Sequence, residues 1–128
     1  MFRMAQIFQI LSIVAASLIV STAVKADVVQ IGECQTQEVV KVCPVQVEGI
    51  KKLKVIYSGY LLGKGRPVGA FGKLDVYHFQ FLLDQQGTYP NLRGITYIPF
   101  HHGHLEIYFR TQYPDYESRY GQNFHFNF

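Results

Sequence analysis

The sequence predicts an all-β domain, a small antiparallel β-sandwich or barrel of about six to seven strands that follows a cleaved N-terminal signal peptide. Apolar and polar side chains alternate with a period of two in several stretches, as in strands with one buried face. Clusters of Gly, Pro, Asn and Asp separate these stretches and are typical of turns. All nine tyrosines lie at or beyond Tyr57, so we expect the aromatic core to come from the second half of the chain.

Residues 1–26 have the features of a secretory signal peptide. Arg3 provides a positive start, residues 7–20 form an apolar run, and Val24 and Ala26 are small residues at the −3 and −1 positions. The apolar run is shorter than the ~20 residues that a membrane-spanning helix needs. We therefore expect cleavage before Asp27 and a single β-rich domain over residues 27–128, located in the periplasm or outside the cell.

The charge of the predicted mature chain does not support a nucleic-acid partner. The 12 basic residues of the full sequence fall to 10 when Arg3 and Lys25 are removed, against 9 acidic residues, which leaves a net charge of +1. General binding to nucleic acid requires a clear excess of basic charge. We expect no nucleic-acid partner.

Cys34 and Cys43 are the two cysteines of the sequence. In an exported chain this pair predicts one disulfide, which should stabilise the fold by about 2–3 kcal/mol because the loop it closes is short. No third cysteine or nearby histidine completes a metal site here. The surrounding valine-rich segment favours strands, so we expect a hairpin that is cross-linked near its turn. Pro44 has no N–H to donate, which predicts an edge strand or a bulge just after the disulfide.

Two strands and a glycine-rich loop are expected in the middle of the chain. Residues 50–62 alternate, with Lys52 and Lys54 on a solvated face. Residues 63–72 contain four glycines and are expected to form a mobile loop, and residues 74–83 the next strand.

The basic side chains of the glycine-rich loop are candidates for a contact surface. Lys64 and Arg66 lie between Gly63 and Gly69 and follow a lysine-rich strand. A basic loop of this kind is suited to an anionic partner.

Residues 95–110 predict a β-hairpin with its tip at His102 and Gly103. In this register Ile98 faces Ile107 on an apolar side, while Tyr97 faces Tyr108 on a polar side. Proline is best accommodated at a position that does not bond across the hairpin. Pro99 therefore favours a four-residue loop, residues 101–104, on a sheet edge.

The last strand is expected within residues 118–128. A final Phe128 with Phe126, Phe124 and Tyr120 at alternate positions before it resembles the closing strand of bacterial outer-membrane β-barrels, although Gln122 departs from the pattern. This resemblance implies an alternative in which the chain is a small outer-membrane β-barrel, the one case in which a membrane partner is expected. Eight strands of about ten residues would consume most of the mature chain.

The histidines provide a second alternative, a histidine-dependent metal-binding protein or hydrolase. His101 and His104, with His78 from a neighbouring strand, are weak candidate metal ligands, because imidazole suits zinc or copper. Either histidine with Glu106 would also form a base and its orienting carboxylate. The spacing matches no established ligand or triad pattern, so we assign no catalytic residue and expect no cofactor.

The leading prediction is a non-enzymatic binding protein, either a subunit of an envelope complex or an inhibitor of an extracellular enzyme. Exposed tyrosines with scattered charges are suited to recognition of another protein. We therefore expect a protein partner of unknown identity. The candidate binding residues are Tyr97, Tyr108, His101, His102, His104, Glu106, Lys64 and Arg66.

Overall fold

The computed structural model describes residues 27–112 and 115–128, and these residues form eleven β-strands. The predicted signal peptide lies outside the described residues, as do Tyr113 and Pro114. No described segment is a helix with the length and apolar character needed to span a membrane. The strands are β1 (Val28–Gln30), β2 (Gln35–Gln37), β3 (Val40–Val47), β4 (Ile50–Tyr57), β5 (Val68–Leu74), β6 (Tyr77–Leu82), β7 (Asp84–Gln86), β8 (Arg93–Pro99), β9 (His104–Thr111), β10 (Tyr116–Glu117) and β11 (Phe124–Asn127).

The strands form two antiparallel sheets that pack face to face, which confirms the predicted all-β sandwich. The first sheet has the order β1-β3-β4-β8-β7, and β2 also pairs with β3. The second sheet has the order β10-β9-β5-β6, and β11 also pairs with β9. The strand number exceeds six to seven because several short strands, β1, β2, β7 and β10, extend the edges of the sheets.

The core lies between the two sheets and is built from the apolar side of each alternating strand. Leu53 and Ile98 come from the first sheet, and Ile107 comes from the second; all three are fully or almost fully buried. Tyr57 stacks on Phe109 across the core, with ring centroids 4.2 Å apart. Burial of such side chains is the main stabilising term of the fold.

The β2–β3 hairpin carries the predicted disulfide between Cys34 and Cys43. The sequence predicted that Pro44 lies on an edge strand or in a bulge, and this prediction is wrong. Pro44 pairs with Leu53 of β4 on one side, and its carbonyl accepts a 2.9 Å hydrogen bond from the N–H of Ile31 on the other. Proline is tolerated inside β3 because β1 and β2 are separate strands, and the neighbouring ladder is interrupted beside it.

The predicted hairpin over residues 95–110 is wrong. The strand β8 pairs with β4 and β7 in the first sheet, whereas β9 pairs with β5, β10 and β11 in the second. The alternation correctly indicated that Ile98, Ile107 and Phe109 are buried. The alternation shows which side of each strand is buried, but it does not show which strands pair. Two strands of opposite sheets that face the same core have the same alternation as the two strands of a hairpin.

The second half of the predicted glycine loop is the central strand β5. The chain enters this strand at Val68 and leaves it at Leu74, and a turn at Asp75 leads into β6. Gly72 pairs with Ile107 of β9, where an added Cβ would collide with the carbonyl oxygen of Glu106. Glycine at this position permits the close approach of two strands. A glycine can therefore indicate close strand packing as well as a loop.

Candidate protein-binding site

The predicted histidine tip is a connection between the two sheets. Asp75 fixes this loop: its Oδ1 accepts a 2.8 Å hydrogen bond from the backbone N–H of His104, and its Oδ2 lies 3.3 Å from Nε2 of His101. The ring of His102 packs edge-on against Phe100. The exposed His101 and His102 therefore lie on an anchored loop, with His101 directed toward Asp75.

His104 points away from His101 and pairs with His125 of β11. Nε2 of His104 lies 2.7 Å from Nδ1 of His125, and the outer nitrogens contact Oδ1 of Asn127 (2.8 Å) and the carbonyl oxygen of Gln122 (2.7 Å). Each ring nitrogen of the two histidines therefore has a hydrogen-bond partner, and the donor and acceptor roles within the pair depend on the tautomers.

The three candidate metal ligands are not brought together. His101 lies in the loop, His104 is paired with His125, and His78 lies on β6 opposite Lys73. Among the described residues no group of three or more His, Cys, Asp or Glu side chains is arranged to hold a metal ion.

Glu106 is held as a carboxylate on the outer face of the second sheet. Its Oε2 accepts a 2.7 Å hydrogen bond from Asn123, and Lys73 lies 4.0 Å from Oε1. The hydrogen bond from Asn123 is the main cause that lowers the pKa of Glu106 below its ordinary value of 4.5; burial opposes it, and the charges of His125, Lys73 and His104 add to it. A carboxyl group of lowered pKa is a weak base, so Glu106 is suited to accepting hydrogen bonds.

Tyr97 and Tyr108 lie on opposite sides of the molecule, so the predicted shared tyrosine face is wrong. Tyr97 is opposite Lys54 on the outer face of the first sheet. Tyr108 is opposite Phe71 on the outer face of the second sheet. The error follows directly from the incorrect hairpin, because the two residues belong to strands of different sheets.

Tyr108 belongs to a packed group that we call the arginine–aromatic cluster: Phe71, Tyr108, Arg110 and Tyr116. The rings of Phe71 and Tyr108 stack with centroids 5.6 Å apart. The guanidinium carbon of Arg110 lies 5.1 Å from the Phe71 ring and 5.8 Å from the Tyr116 ring. Each contact is worth about 0.5–1 kcal/mol at an exposed site, and together they order the arginine.

Two shallow grooves flank Phe71 and extend the cluster. One has a volume of about 470 Å³ and is bordered by Lys73, Glu106 and Asn123. The other has a volume of about 270 Å³ and includes Leu82 and Arg110. The cluster thus presents an aromatic centre between polar and apolar depressions.

Hydrogen bonds from β4 and from the turn that follows it hold β10 in place. Tyr57 donates a 2.5 Å hydrogen bond to Oε1 of Glu117, and the same oxygen accepts from the N–H of Tyr60. Burial, followed by the bond to Glu117, raises the pKa of Tyr57 well above its ordinary value, so this hydroxyl remains a donor. The hydroxyl of Tyr60 donates to the carbonyl of Tyr116, which fixes one member of the cluster.

The predicted basic loop lies beside the hydrogen bonds that hold β10. Arg66 forms an ion pair with Asp115 at 3.0 Å, and its carbonyl accepts a hydrogen bond from Gln85. The ammonium group of Lys64 lies over the ring of Tyr60, 5.3 Å from the centroid. These contacts place the loop at the β10 end of the second sheet.

Sequence reasoning missed two cluster members, Phe71 and Arg110, and the second histidine of the pair. Phe71 lay within a segment interpreted as a loop, and Arg110 was at the end of a predicted strand. His125 did carry a usable signal, because it alternates with Phe124 and Phe126 on the polar side of the last strand. The buried Phe124 and Phe126 pack into the core between the sheets.

The fold and this surface define a disulfide-linked β-sandwich with an arginine–aromatic cluster on one outer face. Comparison with protein-family models, with curated proteins and with solved structures found no match for the chain.

Proposed function

We propose that this chain is an exported, non-enzymatic binding protein that contacts a protein partner through the arginine–aromatic cluster. The observation that carries the proposal is the position of Arg110, which packs against the rings of both Phe71 and Tyr116. Arginine and aromatic residues are enriched at the centres of protein interfaces and among the residues that contribute most to affinity.

The order already present in the cluster supports this role. Tyr116 is held through the bond from Tyr60, and Phe71 stacks on Tyr108. Binding then immobilises fewer side chains, each of which would otherwise cost about 0.5–1.5 kcal/mol.

The histidines and the glutamate of this outer face form hydrogen bonds within the protein. Each ring nitrogen of His104 and His125 has a hydrogen-bond partner, and Asn123 holds Glu106 as a carboxylate. The disulfide is compatible with an oxidising compartment, and with the signal-like segment it supports export to the periplasm or the extracellular space.

Matched tyrosine variants test the proposal, because Tyr97 and Tyr108 are both half-buried on outer faces. Partners are captured from the envelope and medium of the producing cells with tagged wild-type protein, and their affinity for each variant is then measured by titration. We expect Tyr108→Ala to weaken binding by about 2 kcal/mol, roughly thirtyfold, and Tyr97→Ala to leave it nearly unchanged.

Arg110→Ala provides a second test of the same surface and should reduce affinity to a similar extent. Circular dichroism of each variant verifies that the sandwich is folded. Equal losses for Tyr97→Ala and Tyr108→Ala, or full binding by folded Tyr108→Ala and Arg110→Ala proteins, would contradict the proposal.

A further inference from the structure

The strand β6 (Tyr77–Leu82) forms one edge of the second sheet. It pairs with β5 on one side, and no strand of the described residues pairs with it on the other. The N–H of Leu83 donates to the carbonyl of Val68, so in an antiparallel ladder the alternate residues Phe81, Phe79 and Tyr77 also bond toward β5. The backbone groups of His78, Gln80 and Leu82 therefore face the open side.

This edge lacks the features by which proteins prevent edge-to-edge pairing. Lysine, proline and bulges usually protect exposed edges, yet β6 contains no Lys, Arg, Asp, Glu or Pro. In contrast, the open part of β8 in the first sheet ends in Pro99. Side chains along β6 are also unusually exposed for apolar residues, with Leu82 72% and Tyr77 62% exposed.

We propose that two copies of this chain pair through β6 to form a symmetric antiparallel dimer. A twofold axis at Gln80 places Gln80 opposite Gln80 of the second copy and His78 opposite Leu82. All three residues then lie in hydrogen-bonding positions, as the alternation along β6 requires. The occupant is a second copy because the edge is complementary to itself: no formal charge meets a like charge in this register.

The same register covers an apolar cleft between the sheets. This cleft has a volume of about 540 Å³ and is lined by Phe79 and Phe81 of β6 together with Ile98 and Phe100 from the first sheet. In the dimer Phe79 lies across from Phe81 of the second copy, and cross-strand aromatic pairs of this kind stabilise sheets. The two clefts then meet at the axis and cover each other's aromatic lining.

A dimer of this form extends the second sheet through both copies. Its outer face carries Phe71 and Gln80 side by side, since these residues pair across β5 and β6. The arginine–aromatic clusters of the two copies therefore lie on one continuous face. The dimer does not depend on the proposed function, because it is measured without any other partner.

Charge variants at the twofold axis test the dimer. Sedimentation velocity of the purified protein, produced with its full sequence, is run from low micromolar to near millimolar concentration. We expect wild type to shift from monomer to dimer, and we expect Gln80→Lys and Gln80→Glu to remain monomeric because each opposes like charges. An equimolar mixture of the two variants should dimerise again, since lysine then faces glutamate.

Gln86→Lys is the matched control, because Gln86 is an exposed glutamine on the edge strand β7 of the first sheet. It should dimerise like wild type. A monomeric wild-type protein at every concentration, a Gln80→Lys variant that still dimerises, or a mixture that stays monomeric would each overturn the proposal. Recovery in the mixture also shows that the single variants are folded.

Discussion

The outer faces of the two sheets are built by the same alternation but have different surfaces. On the first sheet, Tyr97 lies opposite Lys54. On the second, Tyr108 lies opposite Phe71, and Arg110 packs over that ring. The guanidinium group of Arg110 therefore lies against two aromatic rings, and these contacts order its side chain.

The difference shows that a polar outer face acquires its character from cross-strand neighbours. Tyr97 and Tyr108 look equivalent along the chain, since each alternates with buried residues of its own strand. Pairing of β9 with β5 supplies Phe71 to Tyr108, and pairing of β8 with β4 supplies lysine to Tyr97.

Of the variants considered, Gly72→Ala should reduce the free energy of unfolding the most. It separates β5 and β9, the two strands that carry most of the arginine–aromatic cluster. The new Cβ would meet the backbone carbonyl of Glu106, which cannot rotate away. We expect the free energy of unfolding to fall by about 3 kcal/mol, measured by urea denaturation, with a change in the near-UV signal of Phe71 and Tyr108.

Gly32→Ala, in the connection between β1 and β2 of the first sheet, is the matched control. Its Cβ would lie 3.2 Å from Cγ of Pro44, a side-chain atom with some freedom to move. It should therefore cost clearly less than Gly72→Ala. Equal losses for the two variants would contradict the idea that close approach of β5 and β9 is specifically required.

Tyr57→Phe should have an intermediate effect on stability, because it removes the hydrogen bond that links the first sheet to Glu117 of β10. The loss leaves Glu117 and the N–H of Leu61 without this hydroxyl. We expect a decrease of about 1–2 kcal/mol in the free energy of unfolding and faster amide hydrogen exchange at Leu61. Tyr97→Phe, on the outer face of the first sheet, is the control and should change neither quantity.

The pH dependence of the stabilisation by the Tyr57–Glu117 hydrogen bond follows from the raised pKa of Tyr57. A raised folded-state pKa means that the stabilisation is complete below the ordinary value of 10.0 and decreases only as pH rises above it. The Tyr57→Phe deficit should therefore be constant between neutral pH and about pH 9. A deficit that disappears within this range would show that the hydroxyl is not the donor to Glu117.

Glu106→Gln should have the smallest effect, a small loss in the free energy of unfolding that is present at neutral pH and disappears in acid. The lowered pKa of Glu106 means that its contribution is present above 4.5 and is lost as pH falls below that value. We expect the stability of wild type to decrease more steeply in this range than that of Glu106→Gln, in urea titrations at successive pH values. Glu48→Gln, at the β3–β4 turn of the first sheet, should follow wild type; a Glu106→Gln curve that also does so would refute the assignment.

Sequence reasoning succeeded where the information was local. The alternation around Leu53 and Phe109 indicated their burial, and the presence of two cysteines, Cys34 and Cys43, in a chain with a signal-like segment indicated their disulfide. It failed where a choice between distant partners was needed. Gly72 was interpreted as loop because its reason for being glycine lies in β9, more than thirty residues later.

The sequence alone determined the fold class and which side of each strand is buried, because a period of two is a property of neighbouring residues. The tertiary structure decided that β8 and β9 belong to different sheets, that Tyr97 and Tyr108 face opposite directions, and that His104 meets His125. Such pairings depend on the relative stability of alternative strand pairs. The paired segments are far apart in the chain, and the alternation within each strand is the same for every possible partner.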